Sequence, residues 1–162
     1  MKILHQERQQ VRGNVLTPQG WHSGSVLFDE HIIDVLGESV NPAMNEDDYI
    51  LPGFVDLHVH GGGGKDTMQA GNAVHIIAQA HARHGTTSLL ATTMTAPLAE
   101  IDTALAAIGE ACKNRQPQSA RILGAHLEGP YISAEKLGAQ PAYACAATLS
   151  EVQRLAQLAP LR

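Results

Sequence analysis

Over the first fifty residues the apolar positions fall in short runs, each broken within a few places by Gly, Pro, Asn or Asp. The stretch VRGNVLTPQGWHSGSVLFDEHIIDVLGE has this texture throughout, which predicts strands joined by tight turns. Val26 and Phe28 alternate with Leu27 and Asp29, as in a strand with one buried face. Residues 1–51 are expected to form a small sheet, part of a β-sandwich. Residues 41–48 are polar, and Pro42 would interrupt any ladder there, so they read as a connector.

After Pro52 the period changes. GFVDLHVH reads as a strand, followed by the glycine run Gly61–Gly64. Val74, Ile77 and Ala78 recur at helical spacing and predict a helix over about Gly71 to His84, with Gly85 as its C-terminal cap. TTSLLATTMT is β-branched and predicts the next strand. Pro97 then suits a first helical turn, and Leu98, Ile101, Leu105 and Ile108 mark one face of the helix it opens. ARILGAHLEGP predicts a third strand, and a loop of some seventeen residues leads to a last helix. In that helix Thr148 and Glu151 have capping-box spacing, Val152, Leu155 and Leu158 form the apolar face, and Pro160 is the stop. Strands alternating with helices imply an α/β fold over residues 52–162, a parallel sheet with right-handed crossovers.

Composition narrows the function. The 162 residues are 44% hydrophobic, enough for a sizeable core, and carry a net charge of −5 without any Lys/Arg cluster. No nucleic-acid or anionic-membrane partner is expected from that balance. MKILHQERQQ turns polar at once, as no secretory leader does, and no apolar run reaches the ~18–20 residues that span a bilayer. A cytoplasmic protein is expected. Cys112 and Cys145 lie far apart without metal-binding spacing and read as reduced thiols.

Nine histidines are many for this length, and their placement matters more than their number. His58 and His60, two apart in a strand, project from one face, with Asp56 below them; Leu57 and Val59 point the other way, toward covering helices. The pair sits at the C-terminal end of its strand, where (β/α) folds build active sites. Two imidazoles there can converge on one Zn²⁺ or Fe²⁺, although a His-X-His pair can equally be structural. The glycines that follow let the backbone approach a ligand, or simply give a turn room. Ile122, Gly124, His126 and Glu128 share a face of the third strand, which puts Glu128 at the same rim. A carboxylate there needs a metal or a cationic side chain as partner. His126 reads as a pocket wall rather than a ligand. His75, His81 and His84 read as solvated residues of the first helix, His5, His22 and His31 suggest no site, and Lys65 reads as a solvated charge. Tyr131 reads either as a wall of the pocket or as ordinary loop packing.

LPGFVDLHVHGGGGKDTM, HGTTSLLATTMT and HLEGPYISAEKLGAQPAYA resemble the corresponding segments of the N-acetylglucosamine-6-phosphate deacetylases of the amidohydrolase superfamily. GNVLTPQGWHSGSVLFDEHI also fits that family's opening β-structure. The stretch from His126 to Gln140 is the most diagnostic, because His-X-His is shared by many amidohydrolases. The resemblance implies the first three β/α units of a TIM-type (β/α)₈ metallo-hydrolase barrel, preceded by part of a small β-sandwich. It implies one or two divalent ions, Zn, Fe or similar, with Glu128 as the primary ligand and His58 and His60 as a pair that holds a second ion in some members. Ala139 and Gln140 match positions that touch the amino sugar, Gln140 standing where many relatives have histidine.

The implied reaction is hydrolysis of the acetamide of N-acetylglucosamine 6-phosphate, in a homodimer. Its acid–base aspartate and two more histidine ligands are expected beyond Arg162, so a fragment inactive by itself is also expected. Two other readings remain open: an amidohydrolase acting on a cyclic amide or a purine, which HLEGP…KLGAQ disfavours, and a non-catalytic fragment.

Overall fold

The computed structural model describes residues 8–29, 31–41 and 46–162. His5 and Pro42 therefore lie outside the described residues, as does part of the expected connector. The chain divides into two compact units, Met1–Pro52 and Gly53–Arg162.

Among the described residues the first unit is one four-stranded sheet, in the order β3-β2-β1-β4. Strands β1 (Gln9–Thr17) and β2 (Gly20–Phe28) form a hairpin around Pro18 and Gln19, paired from Gln9↔Phe28 to Thr17↔Gly20. Strand β3 (Ile32–Ser39) runs antiparallel to β2, and β4 (Tyr49–Ile50) lies parallel to β1. Gly13, Gly24 and Gly37 pair in one row across three strands. A Cβ on Gly24 would stand 1.9 Å from the Leu36 carbonyl oxygen, so this row is where the strands can close on one another and the sheet can bend. Asn14 is fully buried, its backbone N–H donates to Asp48 O at 2.7 Å and its side-chain amide to Asp47 O at 3.1 Å, which ties residues 47–48 to β1. Val15 and Val26 are buried, whereas Ile32, Val35 and Leu36 remain exposed; no second sheet of a sandwich packs on them among the described residues.

The second unit is α/β with a parallel sheet. Strand β5 (Phe54–Val59) leads through a two-rung glycine hairpin, β6 (Gly61–Gly62) and β7 (Lys65–Asp66), and a single 3-10 turn into helix α1 (Ala73–Ala82). Strand β8 (Thr86–Thr92), helix α2 (Leu98–Lys113), strand β9 (Arg121–His126) and helix α3 (Leu149–Leu158) follow. The sheet order is β5-β8-β9, with every pair parallel.

Ile77 on α1, Ile101, Leu105 and Ile108 on α2, Leu89 on β8 and Leu155 on α3 are fully buried, each contributing about 1.5–3 kcal/mol by leaving water. They form one cluster that clamps the helices to the sheet. In β8, Leu89 to Thr92 are buried without alternation, as befits a central parallel strand covered on both faces. Thr148 Oγ1 caps α3 by accepting the Glu151 N–H at 3.3 Å, and Arg154 pairs with Asp102 on α2 through two bonds of 2.8 and 3.0 Å.

Three expectations need correction. Val59 is buried in the core cluster, but Leu57 is 59% exposed, because β5 is the edge of this sheet. The third strand ends at His126, so Glu128 stands on the segment after it rather than on the ladder. Pro160 does more than stop α3. Its carbonyl accepts the Ala125 N–H at 2.8 Å, and Leu161 bridges parallel to Ala125, so the chain returns to the free edge of β9.

Candidate metal centre

His58 is the next-to-last residue of β5, and His60 follows its end directly. The ladder between β5 and β8 is irregular from Asp56 to Val59, which would leave backbone groups unpaired at this point. Side chains and a neighbouring turn take them up. The fully buried Thr92 accepts the Val59 N–H at 2.9 Å, Asp56 Oδ1 accepts the His58 N–H at 3.1 Å, and the Thr67 N–H donates to His60 O at 2.7 Å. The two histidines thus stand on a backbone held from three directions.

Glu128 comes from beyond β9. Thr93 donates its N–H to His126 O at 3.1 Å, so the segment after β8 supports the end of β9, two residues before Glu128. Gly129 has φ 66, and a Cβ there would meet Thr95 Oγ1 at 1.9 Å; glycine alone permits this conformation at this distance.

These elements bring three side chains to one point. His60 Nε2 is 2.9 Å from Glu128 Oε2, His58 Nε2 is 3.1 Å from the same oxygen, and the two Nε2 atoms are 3.0 Å apart. The edge lengths approach those of a tetrahedral face about an ion with bonds of ~2.0–2.1 Å. Among the described residues His58, His60 and Glu128 are the group of three or more such side chains that could hold a metal ion. Protein atoms do not satisfy it by themselves. Glu128 Oε2 and His60 Nδ1 are buried without a hydrogen-bond partner, and either neutral tautomer of His60 leaves a ring nitrogen unpaired. A cation facing both Nε2 lone pairs and the carboxylate oxygen answers the deficit at Glu128 Oε2, and nitrogen–oxygen sets of this kind suit Zn²⁺ and its neighbours.

Of the other residues singled out in the sequence, His126 packs its ring edge-on against His58, with centroids 4.7 Å apart. Its Nδ1 is 3.0 Å from Leu57 O, and since a carbonyl only accepts, the proton is on Nδ1. Gln140 joins the site, bonded to Glu128; Ala139, its neighbour, is exposed. Lys65 is exposed at the hairpin. His81 is not a solvated residue: its Nε2 donates to Gly61 O at 2.9 Å, which holds the glycine hairpin onto α1. His75 Nδ1 is buried without a partner. Sequence reasoning missed Thr92, Thr93 and Thr95. TTSLLATTMT reads as strand propensity alone, and nothing local marks a threonine as a backbone acceptor.

No helix is long and apolar enough to cross a membrane among the described residues. The N-acetylgalactosamine-6-phosphate deacetylase of Escherichia coli O157:H7 is 38% identical over 136 residues, 78% of this chain and 34% of that protein. The N-acetylglucosamine-6-phosphate deacetylase of Lysinibacillus sphaericus is 44% identical over 96 residues, 57% of this chain and 24% of that protein. The chain thus spans about a third or less of these relatives. Among solved structures, the N-acetyl-D-glucosamine-6-phosphate deacetylase of Mycobacterium smegmatis in complex with N-acetyl-D-glucosamine-6-phosphate superposes with a TM-score of 0.74 at 25% identity. It covers 94% of this chain and 41% of that one. The enzyme of the same name from Thermotoga maritima gives 0.73 at 30% identity, over 90% of this chain and 39% of that one. The model of the amidohydrolase family matches residues 49–159, a span that takes in both histidines, the glutamate and the sheet that presents them, and the chain belongs to the amidohydrolase family.

Proposed function

We propose that the protein carrying this chain hydrolyses the acetamide of N-acetylglucosamine 6-phosphate at a divalent-metal centre. The observation that carries this reading is the meeting of His58, His60 and Glu128 within 3.1 Å of one another. The names of the relatives supply the substrate class. In this reading the second unit is the first part of a (β/α)₈ barrel, in which the C-terminal strand ends surround the reacting groups.

Glu128 Oε2 and the Nε2 atoms of His58 and His60 would hold the cation, Zn²⁺, Fe²⁺ or a similar divalent ion, as one ion or as part of a pair. When bound, that cation supplies Lewis-acid polarisation of the amide carbonyl and a more acidic water. His126 keeps the His58 ring in place from the side. Ala139 and Gln140 border the sugar. Water adds across the amide, the C–N bond breaks, acetate leaves, and the nitrogen takes up a proton to give glucosamine 6-phosphate. The group that carries that proton is, by the family resemblance, an aspartate beyond Arg162.

A second substrate is favoured by the Escherichia coli relative, which aligns with more of the chain than the Lysinibacillus enzyme: N-acetylgalactosamine 6-phosphate. The test is acetate release by the complete protein from each of the two sugar phosphates, with metal content read on the same sample. Release from the glucosamine compound at the higher kcat/KM supports the proposal. Preference for the galactosamine compound would transfer the assignment to the second substrate, and release from neither by folded, metal-loaded protein would overturn both.

A further inference from the structure

The Glu128 carboxylate is not symmetric. Gln140 Nε2 donates to its Oε1 at 2.7 Å, while Oε2 faces the two histidines. Gln140 Oε1 in turn accepts the backbone N–H of Thr95 at 2.8 Å. The amide therefore cannot turn over: the reverse orientation would set N–H against N–H at Thr95 and oxygen against oxygen at Glu128. Both ends of this relay are fixed. Thr95 is 1% exposed and sits against Gly129, the residue after Glu128, and the Gln140 N–H closes a turn onto Leu137 O at 3.0 Å.

We propose that Gln140 is the positioning residue of Glu128, an amide locked by the Thr95 N–H that engages one carboxylate oxygen and so directs the other at the metal. This rests on the proposed metal centre and goes beyond the sugar contact that the family resemblance implies for Gln140. A hydrogen bond to one oxygen of an ionised carboxylate is charge-assisted and stops the group from rotating. Partners of this kind set the direction and basicity of a ligand, and losing one typically weakens metal affinity by about 10–100-fold.

The test uses the complete protein that carries this chain, stripped with a chelator and titrated with Co²⁺, whose visible absorption reports both affinity and coordination. Gln140→Met keeps the length of the side chain and removes both hydrogen bonds; Gln140→Leu is the alternative, and whichever retains the parent's far-UV spectrum is used. The expected result is Co²⁺ binding weaker by about 10–100-fold, with an altered visible spectrum and metal-free melting close to the parent's. Affinity and spectrum equal to the parent's would overturn the role of Gln140. Glu128→Gln separates the two levels of the claim. If the parent binds no Co²⁺, or Glu128→Gln binds it as the parent does, the metal centre itself falls and the positioning role falls with it. If Glu128→Gln loses Co²⁺ and the Gln140 variants do not, the centre stands and the positioning role alone is wrong.

Discussion

His60 Nε2 and Glu128 Oε2 approach to 2.9 Å although they follow strands β5 and β9, which do not pair in the sheet; β8 lies between them. Two strand spacings separate the backbones by about 9–10 Å. The side chains meet by leaning over the C-terminal end of β8, whose Thr92 side chain is turned to Val59 N. An ion held between them would tie the sheet together across its width.

Removal of the metal should cost stability. Binding that favours the folded state adds about 2.7 kcal/mol when the ion is present at a hundred times its dissociation constant. A chelator is therefore expected to lower the melting temperature of the parent, and to leave His60→Ala and Glu128→Gln nearly unmoved because they have no ion to lose. Equal chelator shifts in parent and variants would show that the ion sits elsewhere.

Gly129→Ala should be costly for its size. The residue has φ 66, and its new Cβ would overlap Thr95 Oγ1 at 1.9 Å. Backbone strain of this kind costs about 1–3 kcal/mol, and the clash adds to it. Urea denaturation should show a lower midpoint at unchanged slope; a midpoint equal to the parent's would contradict the geometry.

Leu105 and Leu149 make a matched pair. Leu105 is fully buried in the core, so Leu105→Ala is expected to cost about 2–5 kcal/mol. Leu149 is 75% exposed at the start of α3, and Leu149→Ala should stay within about 0.5 kcal/mol of the parent. Similar losses at both positions in a urea melt would mean that the packing described for α2 is wrong.

Alkaline pH should act through Tyr131. Burial pushes its phenol up to about 12, and the Glu151 carboxylate, near the hydroxyl but outside hydrogen-bonding geometry, adds to the rise. The folded chain therefore holds this proton more tightly than the unfolded chain, whose phenol loses it near 10. The contribution is fully present below pH 10 and is lost as pH rises toward 12. Stability measured at pH 9 and pH 11 should fall for the parent and fall less for Tyr131→Phe. An equal fall in both would remove Tyr131 as the cause.

Much of the second unit was legible because its signals are local. Val74, Ile77 and Ala78 announce α1, Ile101, Leu105 and Ile108 announce α2, and all six are buried. The period of a strand likewise puts His58 and His60 on one side without any knowledge of their contacts. What misled was position within the sheet. Leu57 alternates with its neighbours as a buried residue would, yet an edge strand leaves it in solvent, and nothing in six residues distinguishes an edge from a centre.

By itself, then, the sequence determined the alternation of strands and helices, the common face of the histidine pair and the presence of a carboxylate near a strand end, since each depends on residues a few places apart. Tertiary structure alone decided that Glu128 Oε2 comes within 3.1 Å of both imidazoles, that Gln140 takes the other oxygen of that carboxylate, and that His81 serves the glycine hairpin instead of water. The reason is geometric. Period sets the direction in which a side chain leaves its element, but the distance between atoms on different elements depends on strand order, register and loop path together, which no local pattern encodes.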